Sequence, residues 1–171
     1  MEPINIETVL YAQDFFFHLS DKQVEEKLSE FKPRQPFIYS MMNYTAQHMK
    51  GREQRLIFWR IMLAMDYCFN IYPIKLTKIT KEMVLVPVNK LVNITKLITE
   101  GKIPDQSLRG DVDAIEQTNL FAFIGQMCYD YREIKKVLNE SETKEILLCA
   151  TLLGQAYQTE VKYLMDKKDI N

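Results

Sequence analysis

The sequence predicts an all-α fold, a single domain of six to eight helices that spans residues 1–171. Three observations support this prediction: glycine and proline are scarce, at five and six residues, apolar residues recur at helical spacing, and capping signals separate the helical stretches. All-β domains need many turns, and turns use glycine and proline. With 47% hydrophobic and 26% charged residues, the composition is that of an ordinary globular protein. A chain of 171 residues is long enough to bury about 70% of the surface that it exposes when unfolded.

A capping signal separates the first two predicted helices. Residues 7–18 form the first helix, in which apolar residues recur at helical spacing. Ser20 and Gln23 then match the capping box, in which the two side chains accept hydrogen bonds from two otherwise unpaired backbone N–H groups. A second, acidic helix is therefore predicted to run from this cap to Phe31.

Prolines separate the second helix from the third. Pro33 and Pro36 each disfavour the helical conformation in the residue that precedes them. Pro36 suits the first turn of a new helix, because a backbone N–H at that position would have no hydrogen-bond partner within the helix. The third helix is predicted over residues 37–49 and ends near Gly51.

The stretch "EQRLIFWRIMLAMDYCFNIY", residues 53–72, is apolar around nearly its whole circumference. A helix that is apolar on all sides lies either in the centre of a bundle or in a membrane. Arg60 and Asp66 interrupt the run, and a charge in the middle of a membrane span costs several kcal/mol. We therefore expect a soluble core helix from about residue 52 to residue 71, stopped by Pro73 and contacted on several sides.

The middle of the chain predicts one helix and one loop. Residues 80–100 carry apolar residues at helical spacing, and Pro87 predicts a kink or a fresh start inside this helix. Residues 101–111, "GKIPDQSLRGD", contain glycine, proline, serine and aspartate with little apolar periodicity. This composition is typical of a loop.

Two more helices are predicted to complete the domain. Asp111 or Asp113 is expected to cap a helix that runs to about residue 138. Ser141 is expected to cap the last long helix, which reaches about residue 166.

Two segments, 34–72 and 120–159, resemble each other. "FIYSMM" at 37–42 aligns with "FIGQMC" at 123–128. We interpret the segments as an internal pseudo-repeat of two αα-hairpins joined by the proline-containing amphipathic helix. Chance similarity between apolar helices is the alternative interpretation.

The N-terminus and the cysteines indicate a cytoplasmic location. The first residues are acidic, and they lack the basic start and clean apolar run of a secretory signal. The three cysteines are an odd number without a close pair. Because each lies in an apolar helical run, they are expected to be buried, reduced thiols; they are Cys68, Cys128 and Cys149.

Catalytic, cofactor and metal-binding patterns are not found in the sequence, so none of these sites is predicted. Neither His18 nor His48 has the glutamate three residues earlier that di-iron bundles require. Asp14 and His18 provide one possible pair of metal ligands, but no third ligand is indicated. A thiol dyad of His48 with Cys128 or Cys149 is conceivable, although a buried, inert thiol is the favoured interpretation.

Two interpretations of the charges in the central helix remain open. In the first, Arg60 pairs with an acidic residue of the N-terminal helices and holds them in place. In the second, Trp59, Arg60 and Asp66 line a pocket or a partner face, since arginine and tryptophan are favoured anchors in interfaces. The acidic candidates for the first interpretation are Glu25, Glu26 and Glu30.

We expect a non-catalytic protein-interaction or adaptor module, with a protein partner or self-association. "YSMMNYTAQHM", residues 39–49, is the candidate exposed apolar stripe, and its Tyr44 and His48 are candidate contacts. The alternative function is a regulatory bundle that binds a small molecule near Trp59, Arg60 and Asp66. A third hypothesis is weak nucleic-acid binding through a basic strip; its residues are Lys50, Arg52, Arg55, Lys75, Lys78, Lys81, Lys90 and Lys96.

Overall fold

A computed structural model describes residues 3–72, 76–85, 89 and 117–168 of the chain. Every regular element in these ranges is helical, which confirms the predicted all-α fold. Residues 81–85 are also helical. The delimited elements are α1 (Ile6–His18), α2 (Asp21–Arg34), α3 (Pro36–His48), α4 (Arg52–Phe69), α5 (Thr118–Tyr129), a π-helical turn (Asp130–Ile134) and α6 (Glu140–Lys168).

Helix α4 is the centre of the bundle. Eleven of its 18 residues are buried, and it contacts α1, α2, α3, α5 and α6. The apolar residues around its circumference therefore have neighbours on several sides, as the sequence predicted. Among the described helices, none is both long enough and apolar enough to cross a membrane.

Side-chain caps begin the first two helices. Asn5 caps α1, because its Oδ1 accepts a hydrogen bond of 3.0 Å from the backbone N–H of Glu7. At the start of α2, the backbone N–H of Ser20 donates to Gln23 Oε1 over 2.8 Å, and the N–H of Gln23 donates to Ser20 Oγ over 3.4 Å. The predicted capping box is confirmed.

Helix α2 ends three residues later than predicted. It continues from Phe31 through Pro33 to Arg34, and the break falls at Gln35, whose φ of −131° and ψ of 66° are not helical. Pro33 is tolerated in the last turn because the N–H of Gln35 still donates to the carbonyl of Phe31, over 2.9 Å. The chain turns at the residue before Pro36, which occupies the first turn of α3 as predicted.

The cap of α6 is Asn139, so the prediction of Ser141 was wrong by two residues. Asn139 Oδ1 accepts from the N–H of Glu142 over 2.9 Å, and the N–H of Asn139 donates to Glu142 Oε2 over 3.0 Å. This reciprocal pair needs a glutamate or glutamine three residues after the cap, and the residue three positions after Ser141 is Lys144. Glu142 Oε1 also accepts from the N–H of Lys50 over 3.1 Å, which ties the α3–α4 connection to α6.

Helix α5 ends earlier than the sequence suggested. After Tyr129 the chain forms the π-helical turn, closed by a 2.9 Å hydrogen bond from the N–H of Lys135 to the carbonyl of Asp130. Lys136 then adopts a left-handed conformation with φ of 58°. The predicted helix to residue 138 therefore ends at this turn, which reverses the chain towards α6.

Several predictions for the middle of the chain fall outside the described residues. They include the kink at Pro87, the loop at 101–111, and the caps at Asp111 and Asp113. The helix that these caps were expected to begin starts instead at Thr118.

Two buried glutamines connect distant segments of the bundle. Gln35 donates from Nε2 to the carbonyl of Thr77 over 3.0 Å, and its Oε1 accepts from the N–H of Ile79 over 2.8 Å. Gln117 Oε1 accepts from the N–H of Ile4 over 2.6 Å, which fixes the N-terminus beside the start of α5. Buried amides are stable only when they are paired in this way.

Helices α3 and α4 form one contacting pair, and α5 and α6 form another. A second alignment places residues 55–67 over residues 145–157. In it, Leu63 and Leu153 are both buried, and the two alanines opposite Arg60 and Asp66, Ala150 and Ala156, are buried as well. The internal repeat of 34–72 and 120–159 stays a prediction.

Candidate functional site

The five candidate residues lie in four separate places. Asp66 faces a cleft between α1, α2 and α4. Trp59 packs between α3 and α4, and Arg60 contacts the connection between α1 and α2. Tyr44 and His48 line a groove between α3 and α6.

Asp66 is a buried acid with partners from two other helices. It is 3% exposed, although it lies beside the cleft. Its Oδ2 accepts from a guanidinium N–H of Arg34 over 2.8 Å, and its Oδ1 accepts from the hydroxyl of Tyr157 over 2.7 Å. The amide of Asn70 donates to its backbone carbonyl over 2.7 Å. Asp66 therefore links α4 to α2 and α6.

The environment of Tyr157 keeps its hydroxyl protonated. Burial and the neighbouring negative charge of Asp66 raise the pKa of Tyr157 well above its usual value of 10. The ring also stacks on Phe69, with centroids 5.1 Å apart and an interplanar angle of 12°. The phenol is thus a fixed donor to Asp66 at all physiological pH values.

The aromatic cleft, as we call the depression beside Asp66, has a volume of about 310 Å³. One wall is made of aromatic rings, with Tyr11 and Tyr67 5.7 Å apart between centroids. The other wall is ionic, with Lys27 and Glu30 paired at 2.8 Å and the Arg34 side chain 50% exposed. The residues that line it include Asp66 but neither Trp59 nor Arg60.

Arg60 holds the connection between α1 and α2. Its side chain is 16% exposed, and its guanidinium donates to the carbonyl of Leu19 over 2.8 Å. The same guanidinium lies 3.7 Å from the carboxylate of Asp21. This arrangement matches the first interpretation of Arg60, except that the acid is Asp21 and not one of the three glutamates of α2. Because Asp21 is 41% exposed, the ion pair is a weak one.

Trp59 packs inside the bundle, where it is 7% exposed. Its ring stacks on Tyr39 of α3, with centroids 5.6 Å apart. The ammonium of Lys32, from α2, lies 5.3 Å from the centroid of the Tyr39 ring. The indole therefore joins α3 to α4 and is not available as a surface anchor.

The apolar groove, as we call the depression between α3 and α6, also has a volume of about 310 Å³. Tyr44 is 67% exposed on one wall and Leu148 is 47% exposed on the other. The rings of Tyr44 and His48 are 4.5 Å apart, and His48 Nδ1 donates to the carbonyl of Tyr44 over 2.7 Å. The lining is Met41, Tyr44, Thr45 and His48 from α3 and Glu145, Leu148, Cys149 and Leu152 from α6.

The three cysteines are free and buried, as predicted. Burial raises the pKa of each thiol to about 12. Cys149 lines the groove together with His48, but its thiol stays protonated at neutral pH and is a poor nucleophile, since the thiolate is the reactive form.

Other candidate chemistry has little support in the described part of the chain. Asp14 and His18 lie 3.2 Å apart on the exposed face of α1. No group of three metal-ligating side chains occurs among the described residues. In the basic strip, Arg52 pairs with Asp21 at 2.9 Å, and Lys78 and Lys81 are exposed; Lys75, Lys90 and Lys96 lie outside the described residues.

Sequence reasoning missed the partners of Asp66 and the aromatic wall of the cleft. Arg34 and Tyr157 are 32 and 91 residues away from Asp66, so no local pattern marks them. The exposed rings of Tyr11 and Phe15 were detectable in principle, because they lie on the polar side of α1.

No family model matches this chain, and neither a curated protein nor a solved structure shows significant similarity to it. Its function is therefore inferred from the two surface sites alone.

Proposed function

We propose that this chain is a non-catalytic protein-interaction module that binds an amphipathic helix of a partner protein in the apolar groove. One observation carries the proposal: large apolar side chains are exposed on both walls of the groove. Tyr44 is 67% exposed and Leu148 is 47% exposed. Contiguous exposed apolar surface of this kind commonly marks an interaction site.

The spacing of the lining residues suits a helical partner. On α3 the lining positions are 41, 44, 45 and 48, and on α6 they are 145, 148, 149 and 152. Both sets follow the i, i+3, i+4, i+7 pattern of a single helix face. Each stripe is about 10 Å long, or two helical turns. A third helix laid along the groove would place its own apolar residues between the two stripes.

The polar groups of the groove suggest the charge of the partner. Glu145 contributes a carboxylate to the α6 wall. A basic residue next to the apolar anchors of the partner would pair with it. Tyr44 and Met41 suit a contact with the apolar anchors of the partner, since tyrosine is enriched among interface hot spots and methionine adapts its shape to different partners.

Site-specific photo-crosslinking tests this proposal. A photoreactive residue is placed at Leu148 in the groove and, as a matched control, at Tyr163, which is 52% exposed on the same helix but does not line the groove. We expect position 148 to capture a defined segment with apolar residues at helical spacing and at least one basic residue. Equal capture at both positions, or capture of segments without helical spacing, would contradict the proposal.

The captured segment is then synthesised and its affinity is measured by fluorescence anisotropy. Leu148→Glu should weaken binding at least about tenfold, which corresponds to about 1.4 kcal/mol. Tyr163→Glu should leave the affinity unchanged. If both variants bind like the wild type, the groove is not the binding site.

The aromatic cleft supports a second candidate function, the binding of a small aromatic anion. The supporting observation is the half-exposed guanidinium of Arg34, which buried Asp66 fixes beside the exposed rings of Tyr11 and Tyr67. The volume of the aromatic cleft, about 310 Å³, is at the lower end of the range for ligand pockets. A planar carboxylate would stack on the rings and accept from Arg34.

A thermal-shift screen with benzoate and larger aromatic carboxylates tests this candidate. A ligand at about 100 times its dissociation constant stabilises the folded state by about 2.7 kcal/mol. We expect a concentration-dependent rise in Tm for the wild type that Arg34→Gln abolishes and Arg52→Gln, the matched control, leaves unchanged. Equal shifts in both variants would place the binding elsewhere.

A further inference from the structure

The ionic wall of the aromatic cleft carries opposite charges one helical turn apart. Glu30 and Arg34 both line the cleft from α2, and side chains four residues apart lie on the same face of a helix. The side chain of Glu30 is 63% exposed and that of Arg34 is 50% exposed. A ligand in the cleft can therefore reach both charged groups.

Glu30 and Arg34 are each paired with another residue and not with each other. The carboxylate of Glu30 lies 2.8 Å from the ammonium of Lys27, and the guanidinium of Arg34 lies 2.8 Å from the carboxylate of Asp66. A carboxylate accepts several hydrogen bonds and a guanidinium donates several, so both groups keep capacity for a ligand. A cationic and an anionic group of one ligand can thus bind side by side on α2.

We propose that the ligand of the aromatic cleft is a free aromatic α-amino acid. The inference rests on the second candidate function, the binding of a small aromatic anion, and adds a positive group to that ligand. The carboxylate of the amino acid accepts from the guanidinium of Arg34, and its ammonium donates to the carboxylate of Glu30. Its ring packs on Tyr11 and Tyr67, whose centroids are 5.7 Å apart.

The balance of charge in the cleft favours a zwitterion over a simple anion. The charged residues that line the cleft are two cations, Lys27 and Arg34, and two anions, Glu30 and Asp66, so their charges cancel. A simple carboxylate at Arg34 lies close to Glu30 as well, and like charges that are close together repel each other. A zwitterion adds no net charge and places its positive group beside Glu30.

The opposite wall favours an aromatic side chain on the amino acid. Tyr11 is 57% exposed, and Phe15 and Tyr67 are each 37% exposed. The rings of Tyr11 and Phe15 are stacked, with centroids 6.1 Å apart and an interplanar angle of 11°. A further ring that packs against them buries apolar area and adds an aromatic contact. A small or charged side chain would leave these rings exposed to water.

Three probes that differ by one charged group test the inference. L-Phenylalanine carries both groups near neutral pH, phenylpropionate lacks the ammonium, and phenethylamine lacks the carboxylate. Isothermal titration calorimetry measures the dissociation constant of each probe. We expect L-phenylalanine to bind at least about tenfold more tightly than either of the other two probes. If phenylpropionate binds as tightly as L-phenylalanine, the inference is overturned and the second candidate function stands.

Two substitutions on α2 show whether Glu30 holds the ammonium. Glu30→Gln should weaken the binding of L-phenylalanine at least about tenfold and should not weaken that of phenylpropionate. Glu26→Gln is the matched control, since its side chain is 59% exposed on the same helix and does not line the cleft. Both variants should fold, because each loses only a surface ion pair. Wild-type affinity of Glu30→Gln for L-phenylalanine, or an equal loss in both variants, would overturn the inference.

The same titrations separate this inference from the two proposed functions. If none of the three probes binds to the wild-type chain, both the inference and the second candidate function are wrong. Leu148 lines the apolar groove and not the aromatic cleft, so Leu148→Glu should bind L-phenylalanine like the wild type. The groove proposal depends on its own crosslinking experiment and is unaffected by these results.

Discussion

Replacing Tyr157 with phenylalanine removes one hydroxyl from the interior of the bundle and keeps the ring. The hydroxyl lies 2.7 Å from Asp66 Oδ1 in a buried site. The ring, which stacks on Phe69 at 5.1 Å, retains its packing in Tyr157→Phe. The variant therefore isolates the contribution of one hydrogen bond to a buried carboxylate.

The expected loss of unfolding free energy is about 2 kcal/mol, because a hydrogen bond to a charged group contributes about 1.5–3 kcal/mol. Arg34→Met should cost less, about 0.5–1 kcal/mol. The reason is that the Arg34 side chain is 50% exposed at the cleft, so water can replace it at Oδ2 of Asp66. No such access exists beside Tyr157, which is fully buried.

Urea unfolding followed by far-UV circular dichroism measures both values. A change in midpoint at constant m reports stability alone. A double-mutant cycle with Asp66→Asn should give a coupling energy of at least about 1 kcal/mol between positions 66 and 157. A loss below about 0.5 kcal/mol in Tyr157→Phe, or a larger loss in Arg34→Met, would refute this description of Asp66.

Three further predictions use the same unfolding assay. Gly154→Ala should lower the free energy of unfolding by about 1–3 kcal/mol, because the added methyl overlaps the ring of Phe121. Gly125→Ala should raise it by about 0.5–1 kcal/mol, because the added methyl there meets nothing within 4 Å. Equal effects of the two substitutions would contradict this contrast. Leu63→Ala, at a position that is 4% exposed, should lose about 2–5 kcal/mol as a core cavity, and wild-type stability would place that side chain outside the core. Burial raises the pKa of Cys68 from 9.0 to about 12, so above about pH 9 the thiol is protonated in the folded chain and ionised in the unfolded chain. The free energy of unfolding therefore falls as pH rises above about 9, and Cys68→Ala should reduce this fall by about 1.4 kcal/mol per pH unit. An unchanged slope in Cys68→Ala would contradict the prediction.

Local signals in the sequence were sufficient for most of the helices. Ser20 and Gln23 marked the start of α2, and Pro36 marked the start of α3. The apolar circumference of α4 predicted a helix with neighbours on several sides. Caps and breaks depend on residues within about four positions of each other, so they can be identified without knowledge of the fold.

Two of the local predictions that failed show which interactions decided the outcome. Ser141 was chosen as a cap by residue type, whereas Asn139 has a glutamate at the third position after it and makes the reciprocal hydrogen bonds. Helix α2 was ended before Pro33, yet the bond from Gln35 to Phe31 closes its last turn beyond that proline. In both cases the hydrogen bonds that are made outweighed the residue preference.

The candidate residues were named without their partners. Tyr44 and His48 do line a surface groove, but its second wall comes from α6, about 100 residues later in the chain. Trp59 was one candidate for a pocket or a partner face, and it stacks on Tyr39 inside the bundle. Which face of α4 is covered depends on where the other helices pack, and helical spacing alone does not specify this.

Asp66 shows where information in the sequence ends. The residue pattern identified a charge within an apolar helix, and α4 holds it in a fixed direction. Its partners, Arg34 and Tyr157, arrive from α2 and α6, 32 and 91 residues away. Helix formation depends on hydrogen bonds between residues four apart, whereas the pairing of a buried charge depends on helices that meet only when the whole bundle has packed.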